Sequence, residues 1–263
     1  MINLQSLNKL NASSMGFGCV NLSGLYGDPE TAVANIIYTA FEHGVNFFDT
    51  ADVYGHGQNE ELIASACHEY NIQRDQVVLA TKCGVVWDKK YPALHGVCNS
   101  ASYIKSCCED SLRRLKTDYI DLYYLHRLAQ NGEMLEESMF ALSELVAEGK
   151  IRHIGLSEVN VSMIRRAQAV HPLSAIQSEY SLMTRDPEVN GVLQVCRELG
   201  IEFVAYSPLC RGLLSKEFNA AQLDGNDFRN KLPRFKQGNL ENNLLLVNQL
   251  DNLAKKHACT VTQ

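Results

Sequence analysis

Asp49, Tyr54, Lys82 and His126 are the residues whose types and placement could do chemistry together. A free phenol releases its proton near pH ~10, too late to act as an acid at neutral pH. A nearby ammonium favours the phenolate and lowers that value. Lys82 can supply the ammonium, and Asp49 can keep Lys82 charged and oriented. His126 can hydrogen-bond a substrate oxygen. Such a set suits giving a proton to a carbonyl oxygen while another agent attacks the carbon. That agent should be a hydride donor. No side chain carries hydride, so a nicotinamide is implied. Tyr206 could stack on its ring, and Ser157 and Gln177 could hydrogen-bond its carboxamide. Taken singly, each residue has a plainer use: the Asp as a turn residue, the Lys in solvent, the Tyr half-buried in packing, the His structural.

Those residues need elements to hold them. Asp49 ends a short apolar stretch, 45–50, and Tyr54 sits on the loop that follows. Lys82 ends a stretch at 77–82, His126 one at 119–126 and Ser157 one at 151–157. Gln177 lies within 175–180, and Tyr206 and Ser207 end 203–207. A first strand is expected at 15–20. Helical patterns fall between these strands, at 30–43, from Asn59 as N-cap, at 100–115, from Leu135 to Val146, at 162–170 and at 187–199. Gly44 and Gly149 close two of them, and Leu246, Leu250, Leu253 and His257 mark a last helix. Alternation puts Val45 and Phe47 on the side of Asp49, Val78 and Ala80 on the side of Lys82, and Leu122 and Tyr124 on the side of His126.

Seven strand-then-helix units of this length predict an α/β (β/α)8 TIM barrel, whose strand ends form the catalytic face. A doubly wound sheet would show a Gly-rich phosphate loop after its first strand. Asn21-Leu-Ser-Gly-Leu-Tyr-Gly27 does not match one. No linker divides the chain, so residues 1–263 read as a single domain, an incomplete barrel.

Composition narrows the function classes. Hydrophobic residues make up 46% of the 263 and charged residues 21%, enough for a sizeable core. The formal charge of −6 and the lack of a dense Lys/Arg run argue against nucleic acid or an anionic membrane as partner. No apolar run of about 18 residues and no signal pattern occur, so a cytoplasmic protein is expected. The nine cysteines show no Cys-x-x-Cys spacing and no metal-ligand cluster, and read as reduced thiols.

The residues singled out above resemble the aldo-keto reductase superfamily along essentially the whole chain. The matching stretches are Gly16-Phe-Gly-Cys, Asn46-Phe-Phe-Asp-Thr-Ala-Asp-Val-Tyr-Gly, Ala80-Thr-Lys-Cys-Gly, Tyr119-Ile-Asp-Leu-Tyr-Tyr-Leu-His, Gly149-Lys-Ile-Arg-His-Ile-Gly-Leu-Ser, Ile176-Gln-Ser-Glu-Tyr-Ser and Ala205-Tyr-Ser-Pro-Leu. Arg211-Gly-Leu-Leu and the 227–235 stretch are similar to a general aldehyde or pyridoxal reductase-like branch. The resemblance implies a tetrad of Asp49, Tyr54, Lys82 and His126, with Tyr54 as proton donor. It implies NADPH as the usual cofactor and aldehydes or ketones as small-molecule substrates. It assigns nicotinamide contacts to Ser157, Gln177 and Tyr206 and pyrophosphate-side contacts to Ser207, Leu209, Arg211 and Gly212, and it counts Asp49 among the cofactor-binding residues. Cys210 stands where that branch usually has Gly.

Relatives continue past Gln263 with an eighth strand and with helices that grip the phosphate on the adenosine ribose. The expectation is therefore a barrel lacking its eighth strand and last helices, with weakened NADPH binding and self-association through the open edge. Two other functions compete. One is a Schiff-base aldolase on Lys82, although an adjacent Asp49 would raise the amine's pKa rather than lower it. The other is a non-catalytic, cofactor-sensing regulatory barrel. Substrate choice would sit in the loops 83–100, 127–133 and 216–238, where Trp87 and Phe228 could line a pocket.

Overall fold

The computed structural model describes residues 10–26, 31–88, 91–129, 132–215, 218–219, 223 and 227–263, with backbone only for 87–88 and 91–95. The strands are β1 (Gly16–Gly18), β2 (Phe47–Asp49), β3 (Val78–Cys83), β4 (Val85–Asp88), β5 (Tyr91–Val97), β6 (Ile120–Leu125), β7 (Ile151–Ser157), β8 (Ala175–Glu179) and β9 (Glu202–Tyr206). The helices are α1 (Val33–Glu42), α2 (Gln58–Glu69), α3 (Ala101–Leu115), α4 (Leu135–Ala147), α5 (Val161–Val170), α6 (Asp186–Val189), α7 (Val192–Leu199) and α8 (Asn239–Lys256).

Seven strands form one sheet in the order β1-β2-β3-β6-β7-β8-β9, and every pairing is parallel. This is the expected (β/α)8 layout with seven strands present. Among the described residues no eighth barrel strand pairs with the outer edges of β1 and β9.

Side-chain alternation divides the apolar residues into two cores. Phe47, Val78, Ala80, Leu122, Tyr124 and Ala175 fill the barrel interior, and Leu10 packs with them. Phe48, Leu79, Tyr123, Leu125, Ile154, Leu156 and Ile176 face outward and meet Ile37, Ile63, Ile104, Met139, Leu142 and Ile164 from the helices. The interior is tight. A Cβ on Gly155 of β7 would run into the ring of Tyr124 on β6. Only glycine lets that phenol ring lie flat across the neighbouring strand.

Helix signals are local. Ser100 caps α3 by accepting from the Tyr103 amide, and Asn160 caps α5 by accepting from the Met163 amide. Gly44, with φ at +83°, follows α1 as expected.

Other expectations are corrected. Asn59 does not cap α2. Gly57 holds that position, and Asn59 lies buried inside the first turn. The helix foreseen over 187–199 is two, because Asn190-Gly191 breaks it between α6 and α7. The stretch 83–100, read as a loop, contains the antiparallel β4–β5 hairpin. The strand foreseen at 15–20 keeps only three residues and continues as a 3-10 helix, Cys19–Ser23. Residue 30, the expected start of the first helix, and parts of the 216–238 loop lie outside the described residues, as does the Trp87 side chain.

Candidate active site

The C-terminal ends of β2, β3 and β6 deliver Asp49, Lys82 and His126 to one place. Registers of Asp49 with Ala80 and of Lys82 with Tyr124 put the three columns side by side. Lys82 Nζ donates to Asp49 Oδ1 and, at 2.7 Å, to the Thr50 carbonyl. It stands 5.2 Å from the centre of the Tyr54 ring. Tyr54 meets His126 edge to face, with ring centroids 5.8 Å apart and planes at 84°. All four residues foreseen from the sequence therefore converge.

Burial sets their protonation. Lys82 is fully buried, which alone would lower its pKa. The Asp49 carboxylate, with help from Tyr54, reverses this and leaves its pKa above the ordinary value. Burial, Lys82 and Arg127 together push His126 well below the usual imidazole range, so it is neutral. Its Nδ1 is buried without a hydrogen-bond partner. For Tyr54 the expected acidification is corrected. Burial raises its pKa, and the Lys82 ammonium offsets only part of the rise. The phenol is thus protonated at neutral pH, able to donate and not to act as a standing phenolate.

The Tyr54 loop is tied down by Asn59, expected only as a helix cap, and by Glu60, which the sequence reading passed over. It runs Tyr54-Gly55-His56-Gly57 as a 3-10 turn whose last three residues all have positive φ. Behind it come Asn59 and Glu60, adjacent and both fully buried. Asn59 Oδ1 accepts from Thr50 Oγ1 at 2.6 Å, while its Nδ2 donates to the Cys19 carbonyl at 2.8 Å. Glu60 Oε1 accepts from Thr81 Oγ1 at 2.6 Å, and Oε2 accepts from Arg114 Nε at 2.6 Å. Thr50 follows Asp49 and Thr81 precedes Lys82. One helical turn therefore holds the backbone beside both ionised groups. Gly57 is required here, since a Cβ would lie 2.6 Å from Arg114 Cδ. Asp52, also in this loop, is raised to about 7 by burial and by Glu60.

The remaining predicted residues surround the mouth. Gln177 Nε2 donates to Asp49 Oδ2 at 2.8 Å. Ser157 Oγ accepts from Arg127 Nη1 at 3.2 Å. Tyr206 ends β9 half-buried, its hydroxyl pushed up by burial and by Glu158. Ser207 has φ of 51° and opens the loop that carries Leu209, Arg211 and Gly212. Cys210, Arg211 and Gly212 are left-handed in succession, which explains a glycine preference at 210. The Cys210 thiol is accommodated by donating to Ser181 Oγ. Phe228 lies near Arg211, whose Cζ is 5.8 Å from the Phe228 ring.

This rim fits a nicotinamide dinucleotide. Ser157 stands in register with Gln177 on β8, and Tyr206 on β9 stands in register with Glu179, two residues further along β8. Arg211 and Arg234 share the single carboxylate of Glu179, and Arg234 Nη1 is buried with no hydrogen-bond partner. Two guanidinium groups on one carboxylate leave positive charge for phosphate. Among the described residues no His, Cys, Asp and Glu cluster could hold a metal.

The geometry agrees with comparisons to known proteins. A profile of the Aldo/keto reductase family matches residues 14–263. A relative named "Probable aldo-keto reductase 1" from Glycine max is 42% identical over 253 residues, covering 95% of this chain and 71% of that protein. The solved structure of the glycerol dehydrogenase AKR11B4 from Gluconobacter oxydans superposes with a TM-score of 0.82 at 30% identity, over 95% of this chain and 76% of that one. The aldo-keto reductase AKR11C1 from Bacillus halodurans gives 0.70 at 35% identity, over 79% and 66%. The chain belongs to the aldo/keto reductase family, whose members are oxidoreductases that act on carbonyl compounds with nicotinamide cofactors.

Proposed function

We propose that this protein is an NADPH-dependent reductase of aldehydes or ketones with Tyr54 as proton donor. The observation that carries the reading is the position of Lys82 Nζ. It is held by Asp49 and the Thr50 carbonyl while lying beside the Tyr54 ring.

The cofactor, when bound, supplies the hydride that the carbonyl carbon receives. The protein's own part is the proton and its surroundings. Tyr54 gives its hydroxyl proton to the carbonyl oxygen. Lys82, cationic beside it, stabilises the phenolate left behind. Asp49 keeps Lys82 cationic. His126, neutral, hydrogen-bonds the same oxygen and so orients the carbonyl without competing for the proton. Ser157, Gln177 and Tyr206 are proposed for the nicotinamide side, and Ser207, Leu209, Arg211 and Gly212 for the phosphates.

Lys82 in its cationic state opposes the Schiff-base aldolase reading, which needs a neutral amine. A regulatory barrel would leave the charged set beside Tyr54 without a use. The test is NADPH oxidation with para-nitrobenzaldehyde, followed by absorbance. Turnover that disappears in Tyr54→Phe supports the proposal. Turnover that survives the substitution refutes the assigned donor.

A further inference from the structure

Arg127 follows His126 directly at the end of β6, and its guanidinium folds back over the mouth of the barrel. Nη1 donates to the His126 carbonyl at 2.6 Å and to Ser157 Oγ at 3.2 Å. Both partners are uncharged. Among the described residues no carboxylate pairs with Arg127, and no acceptor engages its Nε or Nη2.

The other cations of this face each touch a carboxylate, two of them sharing one. Lys82 has Asp49, Arg211 and Arg234 have Glu179, and Arg229 has Asp227. Glu158 is the acidic group beside Tyr206, and it accepts from the Glu179 amide instead of from Arg127. The Lys82 charge is cancelled by Asp49, and His126 is neutral. Among the described residues Arg127 is therefore the cation of this face that touches no carboxylate at all.

An arginine without a counterion in open water would be unremarkable. This one is half-buried and pinned through Nη1 between two groups of the site. The pinning has already fixed much of a long side chain's rotamer freedom, so an anion that docks there loses less on ordering it. Its field is felt within the site: it contributes to the low pKa of His126 and draws the Tyr54 phenol downward. The Nε and Nη2 edge left open is the one that grips a carboxylate with two parallel hydrogen bonds.

We propose that Arg127 binds a carboxylate on the substrate, so that the preferred compounds are short aldehydes or ketones that also carry an acid group. Arg127 is the next residue after His126, so the acid group and the reacting carbonyl belong to one small molecule. The inference rests on the reductase reading and adds the substrate class to it.

The test compares para-formylbenzoate with its neutral isostere para-formylbenzamide. NADPH oxidation is measured for the wild-type chain, Arg127→Met and Arg127→Lys. Binding of the corresponding benzyl alcohols, as dead-end ligands, is measured by NMR titration. Wild-type protein is expected to favour the carboxylate about tenfold or more, in kcat/KM and in binding, as charge-assisted pairing implies. Arg127→Met brings the ratio to about one, and Arg127→Lys restores part of it. The ratio is used because any change at Tyr54 affects both compounds alike. Equal handling of the two by wild-type protein, or a ratio unmoved by Arg127→Met, overturns the proposal. Selective carboxylate binding without turnover of either aldehyde would uphold Arg127 and sink the reductase reading instead.

Discussion

Gln177 donates its side-chain amide to Asp49 Oδ2 at 2.8 Å, joining β8 to β2 across the barrel mouth. Asp49 Oδ1 is taken by Lys82, so both oxygens of this carboxylate are occupied from within the protein. Gln177 was expected to serve a carboxamide. It can do so only with its remaining donor or its carbonyl oxygen, while steadying the anion that keeps Lys82 charged.

Replacing Tyr54 by Phe removes the proposed donor and leaves the ring that packs against His126. Loss of a positioned acid typically costs 10²–10⁴-fold, so kcat should fall by about that factor. The melting temperature should stay close to wild type. A mutant within about threefold of wild-type kcat would contradict the assignment.

Asp49→Asn leaves the buried Lys82 without its counterion. Breaking such a pair costs about 3–5 kcal/mol, which urea unfolding would read directly. The pH dependence follows from the same pair. Lys82 binds its proton more tightly in the folded chain than at its ordinary value of 10.5. That contribution is complete below about 10.5 and is lost as pH rises through the higher folded value. The gap in stability between wild type and Asp49→Asn should therefore narrow in strongly alkaline solution. A constant gap would count against the pair as the cause.

Glu60→Ala should destabilise the fold by about 3–5 kcal/mol, because Arg114 loses its carboxylate in a half-buried site and Thr81 loses its acceptor. Glu60→Gln keeps one acceptor oxygen, enough for Arg114, and turns its NH2 toward the Thr81 hydroxyl, which can accept, so it should cost less. If the two variants unfold at the same urea concentration, the bonds to Thr81 and Arg114 do not hold this loop.

Asp52 offers the opposite sign. Its folded value of about 7 lies above the ordinary 3.8, because burial and Glu60 oppose its ionisation. The stability it contributes is fully present below 3.8 and is lost as pH rises through about 7. A shift of this size corresponds to a few kcal/mol. Asp52→Asn should flatten the fall in stability between about pH 4 and pH 8 seen in wild type. Parallel curves for the two proteins would disprove the assignment.

The barrel and its polar strand ends were legible because both follow from short-range patterns. Strand alternation placed Phe47, Ala80 and Tyr124 inside and their neighbours outside, and the interior cluster has that membership. The convergence of Asp49, Tyr54, Lys82 and His126 was legible for the same reason. Glu60 was not. A glutamate in the first turn of a helix reads as a solvated charge, and only the fold brings Arg114 and Thr81 to it. The Tyr54 proton was misjudged for a related reason. A neighbouring lysine can be inferred from strand ends, whereas the burial that outweighs it is a property of the assembled barrel. The β4–β5 hairpin was missed because the sequence Asp-Lys-Lys-Tyr-Pro over 88–92 reads as turn-like and interrupts any apolar alternation in the middle of the stretch.

Tyr124 lying flat on Gly155 means that the floor beneath the reacting groups has no spare room. Enlarging the cavity downward would require two coordinated replacements on adjacent strands, one of them at a position that admits no side chain. Room for differently shaped molecules is consequently to be sought above, in the loops at the strand ends, which can vary without disturbing the strands beneath.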